Sequence, residues 1–161
     1  MAGGVPVYVR PQIDPLRPAD AIFILGGADT SRYPFGIGLG LEGWAPHVVV
    51  SNPVGEDNRW LTHACKVPPP GIDLDCFVPD PPTTRGEARE LRRRAEQYGW
   101  RHLIVVTFTP HISRARFILQ RCFDGDLTMV ASPGDISAPR WVSEYVYQTA
   151  GYLKAVAQTG C

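Results

Sequence analysis

The sequence predicts an α/β fold built on a mainly parallel five-stranded sheet. Three observations carry that expectation. Five short segments are largely apolar runs, which suit strands covered on both faces. Amphipathic helical patterns with 3–4 spacing lie between them. The two kinds of element alternate along the chain, and that order implies right-handed crossovers between parallel strands.

The first strand is AIFIL, residues 21–25, followed by Gly26 and Gly27. A helix over 32–43 comes next, although it carries Gly36, Gly38, Gly40 and Gly43. Each interior glycine costs about 1 kcal/mol against alanine, and close packing of the helix on the sheet accounts for them. The second strand is HVVVS, 47–51. Residues 51–84 form the most irregular region, with the Pro-rich loops VPPPGID (67–73) and PDPPTTR (79–85). That region has room for one short helix near 56–65, and serves either as a lid over a site or as a long connection.

Within it lies the weakest strand, DLDCFV (73–78), whose alternation is imperfect. The helix 85–98 places Ala88, Leu91, Ala95 and Tyr98 on one face. Strand HLIVVT (102–107) leads into a helix over 110–122 with Ile112, Ala115, Leu119 and Cys122 on one face. Strand DLTMVA (126–131) precedes a last helix, 141–157. Its apolar line is Val142, Tyr145, Val146, Thr149, Leu153 and Val156, expected to meet the core.

A length of 161 residues fits one domain, 1–161, with one sizeable core. Apolar residues at 44% and charged residues at 20% are those of an ordinary globular chain. A formal net charge of zero removes the argument for nucleic-acid or anionic-membrane binding. Arginine outnumbers lysine 14 to 2, and guanidinium suits bidentate recognition of carboxylate or phosphate. No stretch approaches the ~18 apolar residues of a membrane span. The opening MAGGVPVYVRPQ lacks a signal peptide's charged start and continuous apolar core, so a cytoplasmic location is expected. Cys65, Cys76, Cys122 and Cys161 form no CxxC pair, so zinc ligation is not expected. Reduced, partly buried thiols are the expectation for a cytosolic chain.

Ligands of open parallel sheets bind beyond the carboxyl ends of the strands, so residues just after each strand are the candidates. Gly26 and Gly27 follow the first strand and permit close backbone approach at the start of a helix. Arg32 lies within reach of them. The formal GxGxxG of GLGLEG (38–43) is set aside because it falls at the far end of the first helix, not at its start. Thr84 and Glu87 fit a capping box, which explains both residues without any ligand. They also stand where a ligand would sit, and a carboxylate there could take a ribose hydroxyl or an ammonium group.

In VVTFTPHISRARFILQRC (105–122), Thr107 ends a strand, Thr109 is the expected N-cap, and Pro110 takes the first helical position. His111 and Arg114 then share the first turns of a helix, where N–H groups and the dipole favour an anion. His111 could serve as acid or base near neutral pH. Arg116 points elsewhere. Arg92, Arg93 and Arg94 are expected on a solvated face, with Glu90 and Arg94 as an i,i+4 pair.

In this order the pieces resemble the YdcF-like (DUF218) family. The matching segments are ILGGADTSR (24–32), VVVSN (48–52), TTRGEA (83–88) and VVTFTPHISRA (105–115). The resemblance spans roughly residues 19–131, and RGEAR together with RAR and Cys122 looks like the actinobacterial version. It implies a Rossmann-like three-layer α/β/α sandwich. It also implies a pocket lined by Gly26, Gly27, Arg32, Ser51, Asn52, Thr84, Glu87, Thr107, His111 and Arg114. S-adenosylmethionine binding is known for one branch of the family, and cell-envelope roles for others that carry membrane helices. This chain departs from the pattern with Asn52-Pro53 where many relatives have Gly-Gly, and with Glu87 where some have asparagine.

The leading expectation is therefore a domain binding a nucleotide-like or anionic small molecule, with S-adenosylmethionine as a candidate. A hydrolase or transferase acting on a phosphorylated or nucleotide-linked substrate is the second, with His111 as acid/base and Arg114 and Arg32 holding the anion. The third is a regulatory or scaffold subunit using the last helix, with Tyr145, Tyr147 and Tyr152, as an interface.

Overall fold

The computed structural model describes residues 2–161. Five strands, β1 (Ala21–Ile24), β2 (His47–Ser51), β3 (Asp73–Phe77), β4 (His102–Thr107) and β5 (Asp126–Ala131), form one sheet in the order β3-β2-β1-β4-β5. Every pairing is parallel, with Ala21 opposite both His47 and Leu103. Between and after the strands come α1 (Arg32–Leu41), α2 (Arg59–Lys66), α3 (Thr84–Tyr98), α4 (Ile112–Leu119) and α5 (Ala138–Ala157). This is a Rossmann-like three-layer sandwich. None of the described helices is long and apolar enough to cross a membrane.

The apolar runs are continuous because both faces of the sheet are covered. Phe23, Leu25, Leu103 and Val105 pack under α3 and α4. Ile22, Ile24, Ile104 and Val106 alternate with them and pack under α1 and α2. β3 alternates imperfectly because it is an edge strand, with Asp73 and Asp75 exposed and Leu74 buried. The glycines of α1 divide by role. A Cβ on Gly36 would overlap Ile24, and one on Gly40 would stand 2.5 Å from Val48 Cγ2, whereas one on Gly38 meets nothing within 4 Å. Gly36 and Gly40 thus bring α1 onto the sheet, and Gly38 does not.

Three expectations about faces need correction. Tyr98, expected inside, is 56% exposed, because α3 has ended in the left-handed Gly99 cap by the time it reaches the sheet edge. Arg94, expected in solvent, is buried, where it pairs with Asp75 as well as with Glu90. The largest correction is α5. Val142, Val146, Leu153 and Val156 are 56–69% exposed, and the helix turns Gln148 and Ala155 inward instead. The reason is position: α5 lies over α4 and the turn at Thr109–His111, beyond the carboxyl ends of the strands, where the available partners are polar.

The cysteines are also corrected. Cys65 bonds Cys76, tying α2 to β3, and Cys122 bonds Cys161, tying the end of α4 to the segment after α5. No CxxC pattern announces them, because each pair joins elements that meet only after folding. The pairing overturns the expectation of reduced thiols, and disulfides persist in oxidising compartments.

Candidate functional site

The strand order reverses between β1 and β4: the chain leaves β1 toward β2 and β3, then crosses back to β4 and β5. At such a switch point the loops diverge and open a crevice. A cavity of about 360 Å³ lies there. Its floor is the turn after β1 (Gly26, Gly27), the start of α3 (Thr84, Glu87) and the start of α4 (His111, Arg114). Phe108 and the loop prolines Pro53, Pro79 and Pro82 make apolar walls. α5 closes the remaining side with Arg140, Glu144, Tyr147 and Gln148.

Glu87 is the most informative floor residue. Thr83, not Thr84, caps α3, its Oγ1 accepting from Gly86 N at 3.3 Å. The expected capping box is therefore absent, and the Glu87 side chain is free to cross to β1. There its Oε1 accepts the Gly26 N–H at 2.6 Å. Ser51 Oγ, fully buried, lies beside the same carboxyl without reaching hydrogen-bond geometry. Burial raises the Glu87 pKa to about 7 against the pull of Ser51, Gly26 N–H, Arg32 and Arg114.

His111 is almost fully buried. The expected N-cap Thr109 makes no cap bond; Phe108 precedes a single 3-10 turn, Thr109–His111, that leads into α4. The His111 Nδ1 lies 3.1 Å from Thr107 Oγ1, and its Nε2 lies 3.3 Å from Thr84 Oγ1. Arg32 Nη1 donates to the same Thr107 oxygen at 3.0 Å. Arginine has no acceptor, so Thr107 accepts from Arg32, and either its second lone pair or its own O–H meets His111 Nδ1. Burial, then Arg114 and Arg32, hold the His111 pKa well below 6.5, so the ring is neutral at physiological pH. In this neutral state it is a hydrogen-bonding group between Thr107 and Thr84.

Arg32 and Arg114 differ. Arg32 is 1% exposed, and its Nε and Nη1 donate to the carbonyls of Asp29, Leu25 and Gly26 as well as to Thr107. It fastens the β1 turn. Cβ atoms at Gly26 and Gly27 would overlap Pro53 and the Arg32 guanidinium, so these glycines leave room for the protein's own side chains. Arg114 donates from Nε to Gln148 Oε1 at 2.7 Å and lies 5.5 Å from the Tyr147 ring centroid. Burial lowers its pKa from the usual value, but a guanidinium stays charged at neutral pH. None of the ion pairs among the described residues includes it. Arg116 instead pairs with Asp14 at 2.8 Å, away from the cavity.

Seven of the ten expected residues line the cavity, and Ser51, Asn52 and Thr107 stand behind them. Asn52 is buried and donates to Gly55 O at 2.8 Å, shaping the loop after β2. At the mouth, Arg140 sits 4.0 Å from Asp29 and 3.9 Å from Glu144. Burial works against the Asp29 charge, yet bonds from Ser31 and the nearby Arg32 and Arg140 hold its pKa below the usual value. The contribution of α5 was missed because its apolar line pointed to the wrong face. The polar spacing Arg140, Glu144, Tyr147, Gln148 was the available signal. No cluster of His, Cys, Asp or Glu able to hold a metal ion occurs among the described residues.

Together these features define an α/β domain with a mixed-charge cavity at its topological switch point. No protein-family model and no curated protein matches the chain.

Proposed function

We propose that this chain binds a nucleotide-like or anionic small molecule in the switch-point cavity. The observation that carries the reading is Arg114, a half-buried cavity-lining cation without an ion-pair partner. A cation taken partly out of water is costly unless an anion meets it, and a ligand phosphate or carboxylate supplies that anion. The 360 Å³ volume falls in the usual range for small-molecule sites. Phe108, Tyr147 and the prolines offer apolar faces for a base or similar ring. Glu87 is placed to accept from a hydroxyl or ammonium group. S-adenosylmethionine combines such a ring with a carboxylate and cationic groups, and it is the named candidate. Membership of the YdcF-like family remains our proposal on the order of the four sequence motifs.

The test is a thermal-shift and calorimetry series with adenine nucleotides, S-adenosylmethionine, S-adenosylhomocysteine and sugar phosphates. A true ligand at 100 times its Kd adds about 2.7 kcal/mol of stability. Arg114→Ala is expected to weaken it at least about tenfold, a loss of ~1.4 kcal/mol. Absence of any shift, or binding indifferent to Arg114→Ala, rejects the reading.

A hydrolase or transferase acting on a phosphorylated or nucleotide-linked substrate is the second reading. The pKa of Glu87, about 7, favours it, since such a group both gives and takes a proton near neutral pH. In that reading Glu87 takes the acid/base role in place of His111. Turnover of the bound compound, lost in Glu87→Gln while binding persists, separates catalysis from binding alone. Cytoplasmic location is tested by counting free thiols in protein taken from cells: four indicate the reducing cytosol, none an oxidising compartment.

A further inference from the structure

α5 carries a single glycine, Gly151, in the interior of a 20-residue helix, where glycine is destabilising against alanine. Its neighbour accounts for it. A Cβ at Gly151 would stand 3.1 Å from Cδ, Nε and Nη1 of Arg114, which crosses α5 at that point. About one turn earlier is Gln148, 0% exposed. Its Oε1 accepts from Arg114 Nε at 2.7 Å, and its Nε2 donates to Glu144 Oε2 at 3.0 Å. Arginine offers only donors and a carboxylate only acceptors, so the amide fits one way round. The Tyr147 ring centroid lies 5.5 Å from Arg114 Cζ. Glu144, Tyr147, Gln148 and Gly151 follow the i, i+3, i+4, i+7 spacing of one helical face. That face of α5 is shaped around a side chain from α4.

We infer that this face is the positioning half of an anion clamp, which sets the Arg114 guanidinium to receive one anionic group end-on through two of its oxygens. The inference rests on the ligand reading above and narrows it. A guanidinium has two edges that match a pair of oxygens: the side edge with Nε, and the end formed by Nη1 and Nη2. Gln148 occupies the side edge. That is the one side-chain hydrogen bond Arg114 makes among the described residues, so both Nη groups keep their donors for the cavity. The Tyr147 hydroxyl is near enough to favour the charge without reaching hydrogen-bond geometry.

The choice of an amide matters as well. A carboxylate at position 148 would hold Nε equally well, but it would neutralise the guanidinium. Glutamine orients the group and leaves its charge for a ligand. Glu144 fixes the amide in turn, and Arg140 stands 3.9 Å from Glu144 at the mouth. Ordering a long side chain before the ligand arrives removes that cost from binding. The ligand that fits carries paired anionic oxygens, as a terminal phosphate or a carboxylate does. A neutral ligand or a single-oxygen acceptor leaves half of the fork unmet.

The test is titration of the full chain with inorganic phosphate and, separately, acetate, followed by nitrogen–proton NMR of the arginine side chains. Saturable shifts of the Arg114 Nη–H signals are expected, with the Nε–H signal little moved. The anion that binds more tightly identifies the ligand's terminal group. Gly151→Ala and Gln148→Met are each expected to weaken that anion by about fivefold or more, the scale of one well-directed hydrogen bond. Gly151→Ala should do so with a melting temperature equal to or above the parent's, which a merely structural role would not produce. Arg114→Lys keeps a charge without the fork, and should bind as poorly as Arg114→Ala. An anion that binds through Arg114 yet ignores Gly151→Ala and Gln148→Met overturns the inference and leaves the ligand reading standing. So does an Nε–H shift as large as that of Nη–H, which puts the anion on the side edge, or an Arg114→Lys variant that binds like the parent. If neither anion moves an Arg114 signal the clamp is rejected, and the nucleotide series decides the ligand reading by itself.

Discussion

Glu87 is an acid buried beside a backbone N–H, and its protonation gives the chain a pH dependence. Its folded pKa, about 7, lies above its ordinary 4.5. Below pH 4.5 the acid is protonated in both folded and unfolded chains, and its burial carries no ionisation cost. As pH rises toward 7 the unfolded chain ionises first, so stability falls, by about 3 kcal/mol once the folded acid has ionised too. His111 slopes the other way: held neutral when folded, it loses stability as pH falls below 6.5. Glu87→Gln keeps an acceptor for Gly26 N–H and removes the charge. Urea denaturation should find it about 1–3 kcal/mol more stable than the parent at pH 8, with only the His111 slope remaining between pH 4.5 and 7. The two opposing slopes largely cancel in the parent below pH 6.5, so a variant with the parent's flat profile there would place the buried charge elsewhere.

At the scale of the element, α1 shows how one residue type does two jobs. Alanine at either Gly36 or Gly38 gains about 1 kcal/mol of helix propensity. At Gly38 nothing opposes the new methyl, so Gly38→Ala should raise stability by roughly that amount. At Gly36 the methyl meets Ile24, with Cγ1 at 2.6 Å. Overpacking of that kind costs about 1–3 kcal/mol, and Gly36→Ala should be destabilising overall. Thermal melts of the two single variants check the sign of each. α3 carries a parallel lesson. Its local pattern permitted Thr84 with Glu87 as a capping box, but the cap moved to Thr83, and the carboxylate was released to the neighbouring strand end.

Over the whole molecule, two disulfides fasten the parts that the sheet does not hold. Cys65 and Cys76 are 11 residues apart, and Cys122 and Cys161 are 39 apart. Loop-closure entropy makes these worth about 3 and about 4 kcal/mol respectively. Denaturation of C65S/C76S and C122S/C161S should show losses in that order. The second pair should also loosen α5, because Arg121, beside Cys122, donates to the carbonyls of Ala155 and Gln158. Reduced protein should then bind ligand more weakly, as α5 supplies one wall of the cavity. Equal losses for the two pairs, or binding unaffected by reduction, would contradict this arrangement.

The sequence alone determined the sheet, because a strand buried on both faces must be apolar throughout, and AIFIL, HVVVS and HLIVVT are nearly so. It also determined most of the cavity floor, since parallel strands deliver Gly26, Glu87, His111 and Arg114 to one edge whatever the details of packing. Tertiary structure decided what depends on neighbours distant in the chain. Which hydroxyl caps α3, which protonation states Glu87 and His111 hold, and which cysteines join are set by groups that local spacing does not reveal. The orientation of α5 was decided the same way. An apolar stripe shows that a helix has a face to bury, but not whether its own domain or another molecule covers it. Here the cavity required the polar side, and the apolar side was left outward.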